Sequence, residues 1–199
     1  MDALLSTTYF GPVQWYQKLY RAESVEIEQW ESFQKQTYRN RCLIATTNGV
    51  QALTIPIERG TSPLIKDIRI SDHGNWRHLH WNALQSAYGE SPFFEYYQDD
   101  LLPFFNKHWD FLIDYNEDIR IKICELIDIQ PNVSFTESYT SSPSMKDYRS
   151  AINPKHPEPD ADFVPKPYYQ VYQQKYGFLP NLSILDLLFN MGPESILFL

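Results

Sequence analysis

Three cations stand at odd-numbered positions in Gln34-Lys35-Gln36-Thr37-Tyr38-Arg39-Asn40-Arg41, and their spacing carries the first chemical reading of the chain. Side chains of an extended segment alternate between two faces, so Lys35, Arg39 and Arg41 are expected on one face. Aligned cations suit a phosphate or carboxylate, because a guanidinium presents a planar fork of donors. The competing reading is a solvated strand face, or pairing with the chain's own acids. Gln34, Gln36, Tyr38 and Asn40 fall on the opposite face, where they could hydrogen-bond a polar ligand or satisfy nearby backbone.

His80 is the second candidate. It lies on the apolar stripe Trp76, Leu79, His80, Ala83, Leu84, Ala87 and Tyr88, which recurs at three- and four-residue steps. An imidazole facing a pocket there would be a general acid or base, with Tyr88 lining the reacting end and Trp76 the substrate. The same position suits a hydrogen-bonded core histidine. His73, His78 and His80 invite a metal reading, but His78 and His80 are two apart on a helix and face different ways. A zinc pair would be spaced by four, so no metal site is expected. The sequence holds no nucleophile elbow, phosphate-binding glycine loop, dinucleotide fingerprint or paired-cysteine motif, and no cofactor is predicted. Cys42 and Cys124 read as small core residues rather than a disulfide. Phe93-Phe94 and Tyr96-Tyr97 could stack a sugar or base, though helical aromatics are more often core.

The elements that must position these residues give a mixed α/β fold class. Leu4 to Phe10 suits a strand, Gly11-Pro12 opens a helix from Val13 to Arg21, and Ser24 to Glu28 suits a second strand. This β-α-β start would place the chain between Phe10 and Val13 at the carboxyl end of a strand, where open α/β sheets bind ligands. Strands are expected over Arg39 to Thr46 and Gln51 to Ile57, joined by an Asn48-Gly49 hairpin turn, and over Ile65 to Ile70, in a mixed sheet. Helices are expected from Trp76 to Tyr88, from Ser91-Pro92 with a break at Pro103, and from Leu112 to Ile129. The expected organisation is one domain: an α/β core over 1–137, an extended Pro/Ser-rich crossing over 138–167, and a segment over 168–199 that packs back through a helix capped by Ser183.

A net charge of −8 argues against coating nucleic acid or an anionic membrane, while leaving room for a local cationic pocket. No apolar run is long enough to span a bilayer and no secretory signal is evident, so a cytoplasmic location is expected.

Read in order, Tyr9-Phe10-Gly11-Pro12, Tyr38-Arg39-Asn40-Arg41, Leu53-Thr54-Ile55-Pro56, Ile65-Lys66-Asp67-Ile68, Trp76 with His80, Ala87-Tyr88 and Ser91-Pro92-Phe93-Phe94 resemble successive motifs of the WbqC-like protein family. The match runs from Leu5 to Glu137, and Leu112 to Asn116 resembles the family's later helix; the segment after Pro167 is expected to be a branch-specific extension. The resemblance implies a bacterial protein associated with O-antigen or other surface-polysaccharide gene clusters. With the cationic strand, it suggests a transferase that modifies an anionic, nucleotide-sugar-like precursor, by acyl or aminoacyl transfer. The alternative is a noncatalytic protein that docks a partner enzyme or a second copy of itself.

Overall fold

The computed structural model describes residues 1–141 and 143–199. The mixed α/β architecture is present, and its β-α-β start is a parallel pair: β1 (Asp2–Ser6) lies beside β2 (Ser24–Glu28), with α1 (Val13–Arg21) crossing between them. Pro12 precedes the first turn of α1 in an extended conformation, which fits a residue without an amide hydrogen. Both strands bury apolar side chains, among them Leu4, Leu5, Val25 and Ile27, and α1 covers them with Trp15, Tyr16 and Leu19.

Two later strands complete this sheet. β7 (Val133–Phe135) adds to β2 and β8 (Lys146–Asp147) to β1, both parallel, so the spatial order is β7-β2-β1-β8. In chain order the four strands read three, two, one, four. The first strand is therefore flanked by strands reached in opposite directions, which is a topological switch point.

The remaining strands form two separate pairs. β3 (Arg41–Thr46) and β4 (Gly49–Thr54) make an antiparallel hairpin, and β5 (Ile57–Glu58) pairs with β6 (Arg69–Ile70). The hairpin pairs Thr46 with Gly49, so its two-residue turn is Thr47-Asn48 rather than Asn48-Gly49, and Gly49 takes the positive φ of 100° that follows the turn. Over 65–70 the expected strand is mostly absent: Ile65–Asp67 is a 3-10 turn, and only Arg69 and Ile70 pair.

The chain before β3 departs most from expectation. Residues 35–40 are turns and bends, Gln36 sits at φ 59°, and Thr37 Oγ1 donates to the Gln34 carbonyl at 2.7 Å. Polar side chains that bond local backbone compete with a strand ladder, and here they win. The alternation that would align Lys35, Arg39 and Arg41 is therefore lost.

The helical half comprises α2 (Trp76–Tyr88), α3 (Phe94–Leu101), α4 (Pro103–Asn106), α5 (Leu112–Leu126), the single turn α6 (Gln173–Tyr176) and α7 (Ile184–Met191). Ser183 caps α7, its Oγ accepting from Leu185 N at 3.2 Å, and Ile184 to Asn190 are all buried. The region before α7 is stitched to the β1–α1 loop: Ser183 Oγ donates to the Phe10 carbonyl at 2.7 Å and Ile184 N to that of Gly11 at 2.8 Å. Asp186, almost fully buried, accepts from Tyr88, Tyr168 and Gln170 at 2.7 to 2.8 Å. Burial pushes its carboxyl above the ordinary range, against the pull of these three donors.

Candidate functional site

Carboxyl ends of parallel strands expose backbone and side chains that the sheet cannot pair, and here segments at or after the ends of β2, β7 and β8 line one cleft of about 550 Å³. That size suits a small ligand. Trp30, Glu31 and Ser32 follow β2, Tyr139 follows β7, and Asp147, Arg149 and Ser150 close or follow β8; Arg39 enters from the turn before β3, and Asn153, His156 and Glu158 complete the wall.

Two guanidiniums organise this cleft. Arg39 is buried, its Nε 2.7 Å from Glu31 Oε1 and its Nη2 donating to Ser6 Oγ, at the end of β1, at 2.9 Å. Its carbonyl is held by Asn116 Nδ2 at 2.9 Å, and Asn116 also reaches Thr7 Oγ1 at 3.2 Å. Arg149 Nη2 lies 2.7 Å from Asp147 Oδ2 and donates to the Thr140 carbonyl at 3.0 Å, while its Nη1 stands 3.8 Å from Glu28 and 4.0 Å from Glu31. The Asp147 hydrogen bond raises the Arg149 pKa further above its usual value. Burial pushes Asp147 up, but its bonds to Arg149 outweigh this and hold the carboxyl below the usual range.

Glu28 is fully buried and spans the strand ends. Its Oε1 accepts from Trp30 N at 2.7 Å and Thr136 Oγ1 at 2.9 Å, and its Oε2 accepts from Thr140 N at 3.0 Å. A buried carboxylate so supplied with donors fixes the loops after β2 and β7 relative to each other. Arg39 and Arg149 also line a smaller crevice with Ser6, Thr7, Thr8, Tyr38 and Tyr148, where the cleft meets the β1–β8 switch point.

The adjoining β1–α1 loop is strained. Phe10 has φ 41°, a left-handed conformation costly for a bulky residue, and it persists because Phe105 stacks on its ring at 5.9 Å while Ser183 holds its carbonyl. A Cβ at Gly11 would come within 2.3 Å of Thr8 Oγ1, so this turn needs glycine.

The other sequence candidates are dispersed. Lys35 is exposed on its turn and does not line the cleft, and Arg41 lies on the hairpin with Nε 3.0 Å from Thr54 Oγ1. Asn40 is buried and donates to the Ile55 carbonyl at 2.9 Å. The structure thus brings only Arg39 of the three cations into the cleft, and it arrives already paired with an acid.

His80 lies in the core. Its Nδ1 is 2.8 Å from the Tyr9 hydroxyl, the Trp76 ring stands edge-on at 5.1 Å, and burial lowers its pKa to about 4, so it is neutral near pH 7. The expectation of an imidazole facing a pocket is corrected: the stripe around it packs onto the β1–α1 loop and leaves it no open side. Tyr88 is also fully buried, bonded to Asp186 and accepting from Ala45 N at 3.2 Å. Trp76 donates Nε1 to the Ser71 carbonyl at 2.8 Å and borders a different cavity, at the amino end of α2. Cys42 and Cys124 are free and buried, and burial raises both thiols, Cys124 to about 11.

The residues that sequence reasoning passed over are Glu28, Glu31, Asp147 and Arg149. Glu28 and Glu31 had a usable signal, as acids at and just after the end of a readable strand. Arg149 had none, because it follows a strand of two residues inside a segment without periodicity.

Among the described residues no helix is long and apolar enough to cross a membrane. A model of the WbqC-like protein family matches residues 7–156 and 137–197. The segment after Pro167 therefore lies within the family match, which corrects the expectation of a branch-specific extension. The chain is similar to Rv1507c of Mycobacterium tuberculosis, described as uncharacterized, at 25% identity over 189 residues, covering 82% of this chain and 81% of that protein. No solved structure matches the chain.

Proposed function

This chain belongs to the WbqC-like protein family, and on that premise we propose that it is an enzyme of surface-polysaccharide precursor synthesis that binds the sugar of a nucleotide-linked substrate in the carboxyl-edge cleft. The observation that carries the reading is the pairing of Arg39 and Arg149 with Glu31 and Asp147 across the end of a switched parallel sheet. Carboxylates and guanidiniums held this way offer acceptors and donors together, which suits the hydroxyl and amide groups of a sugar better than a bare anion. Trp30 and Tyr139 supply ring faces in the same walls. Acyl or aminoacyl transfer remains the reaction proposed, from an activated donor such as a thioester: a carboxylate of the cleft, Glu31 or Glu158, takes the proton from the accepting group as its bond to the acyl carbon forms and passes it to the thiolate that leaves. His80 and Tyr88 act in this reading as positioning residues, through Tyr9 and Asp186.

Titration calorimetry with UDP-N-acetylglucosamine tests the assignment. Arg149→Met is expected to weaken binding about ten-fold or more, since a charged hydrogen-bonding group is lost. Arg41→Ala, outside the cleft, leaves it unchanged. Equal affinity in Arg149→Met and the unaltered protein would remove the cleft from the account. A noncatalytic docking role has no observation of its own in its favour.

A further inference from the structure

The second large cavity, about 490 Å³, lies at the amino end of α2 against α4, and none of its lining residues is shared with the carboxyl-edge cleft. Its charge is of the opposite kind. Arg77 and Lys107 line it against a single carboxylate, Asp72, with His78 and His108 beside them, in a protein whose formal net charge is −8. Asp72 is shared: Arg77 Nη1 lies 2.6 Å from its Oδ1 and His108 Nδ1 3.4 Å from the same atom. Lys107 is exposed, and among the described residues it has no acidic partner.

Arg77 carries the more telling feature. Its guanidinium lies 4.6 Å over the Trp76 ring, and its Nε and Nη2 are buried without a hydrogen-bond partner. Buried guanidinium donors ordinarily find acceptors, and leaving two unmet is costly. One wall of the same cavity is apolar and aromatic: Trp81 is half-buried, with Phe105 tilted at 5.3 Å behind it. An exposed lysine without an acidic partner among the described residues and a fixed guanidinium, beside a supported indole, make a site for an anion attached to a flat ring.

The geometry points to this cavity as a second ligand site, for a nucleoside phosphate whose phosphate is held by Lys107 and Arg77 and whose base rests on Trp81. The Lys107 ammonium meets the phosphate at the rim as a point charge, and the Arg77 guanidinium behind it adds fixed positive charge, its Nε and Nη2 being closed off from the cavity. The aromatic contact adds to the charge and tolerates any base, because every base has a ring face. The site stands apart from the proposed sugar cleft and does not depend on it.

Titration calorimetry of the full chain with UMP, uridine and inorganic phosphate tests it, with tryptophan fluorescence as a second readout. UMP is expected to bind at one site per chain, more tightly than either uridine or phosphate, and Lys107→Glu to weaken it about ten-fold or more. UMP should quench fluorescence in the unaltered protein and do so much less in Trp81→Phe, a substitution that keeps a ring against Phe105. No UMP binding at millimolar concentration, or binding indifferent to Lys107→Glu, overturns the site. Equal affinities for UMP and phosphate overturn the stacked base, and equal affinities for UMP and uridine overturn the anion contact. Loss of UMP binding in Lys107→Glu, together with indifference of UDP-N-acetylglucosamine to Arg149→Met, would keep this site and sink the sugar cleft.

Discussion

The carboxyl-edge cleft and the cavity at the start of α2 are similar in volume and opposite in electrostatic organisation. In the first, every cation is matched: Arg39 to Glu31, and Arg149 to Asp147, with Glu28 and Glu31 nearby. In the second, Arg77 shares the single carboxylate Asp72 with His108 and keeps two buried donors without acceptors, and Lys107 is unpaired among the described residues. Matched charges in a buried setting hold a shape, because each partner fixes the other's orientation and removing one strands the other. An exposed, unpaired charge such as that of Lys107 holds little of the fold and remains available to a ligand. A count of cations along the sequence sees no difference between these two cases; the difference arises from what the fold places within about 4 Å of each one.

The largest effect that would break this comparison is loss of one partner in the first region. Glu31→Ala leaves the Arg39 guanidinium buried and uncompensated, so a loss of about 3–5 kcal/mol in unfolding free energy is expected from urea denaturation. A loss below about 1 kcal/mol would mean that Arg39 is not locked, and the two regions would no longer differ in kind.

His80 joins the regions, since it bonds Tyr9 after β1 and lies one turn into α2 from the second cavity. Its folded pKa of about 4 lies below the unfolded value near 6.5, so the unfolded chain binds the extra proton first as pH falls. The stability contributed by neutral His80 is therefore complete above pH 6.5 and declines toward pH 4, by roughly 3 kcal/mol at most. Thermal unfolding across that range should show a shallower decline in His80→Gln than in the unaltered protein. Identical slopes would contradict the buried, neutral assignment.

A smaller effect is expected from Gly11→Ala, whose new methyl group would meet Thr8 Oγ1. Overpacking of this kind costs about 1–3 kcal/mol. Urea denaturation reads this loss, and a Gly11→Ala protein as stable as the unaltered chain would mean that the loop gives way around the new methyl group. The smallest effect belongs to Arg41→Ala, half-buried on the hairpin and bonded to Thr54, with a stability change within about 0.5 kcal/mol by urea denaturation.

How much of this was legible in the sequence depends on whether the signal was local. The α1 bounds, the β2 strand and the α2 bounds follow from capping, proline placement and periodicity, all of which act within a few residues. The stripe on α2 was read too wide: Leu79 is 59% exposed, because the buried face is the narrower row Trp76, His80, Leu84, Ala87 and Tyr88. Arg39 was singled out for its charge, but its setting depends on Glu31, in the loop after β2, and Ser6, at the end of β1, arriving together. The turn over residues 35–40 is fixed partly by a distant contact, Tyr9 N donating to the Tyr38 carbonyl at 2.9 Å, which no reading of that segment alone contains. Arg149 was illegible for the same reason, since β8 exists only because β1 offers it an edge.

The measurement that bears most directly on the central claim is a crystal structure of the protein soaked with UDP-N-acetylglucosamine. The sugar is expected in the cleft between Glu31 and Asp147, within hydrogen-bond reach of Arg39 or Arg149. Sugar density confined to the cavity beside Trp81 and Lys107, with the carboxyl-edge cleft empty, would contradict it.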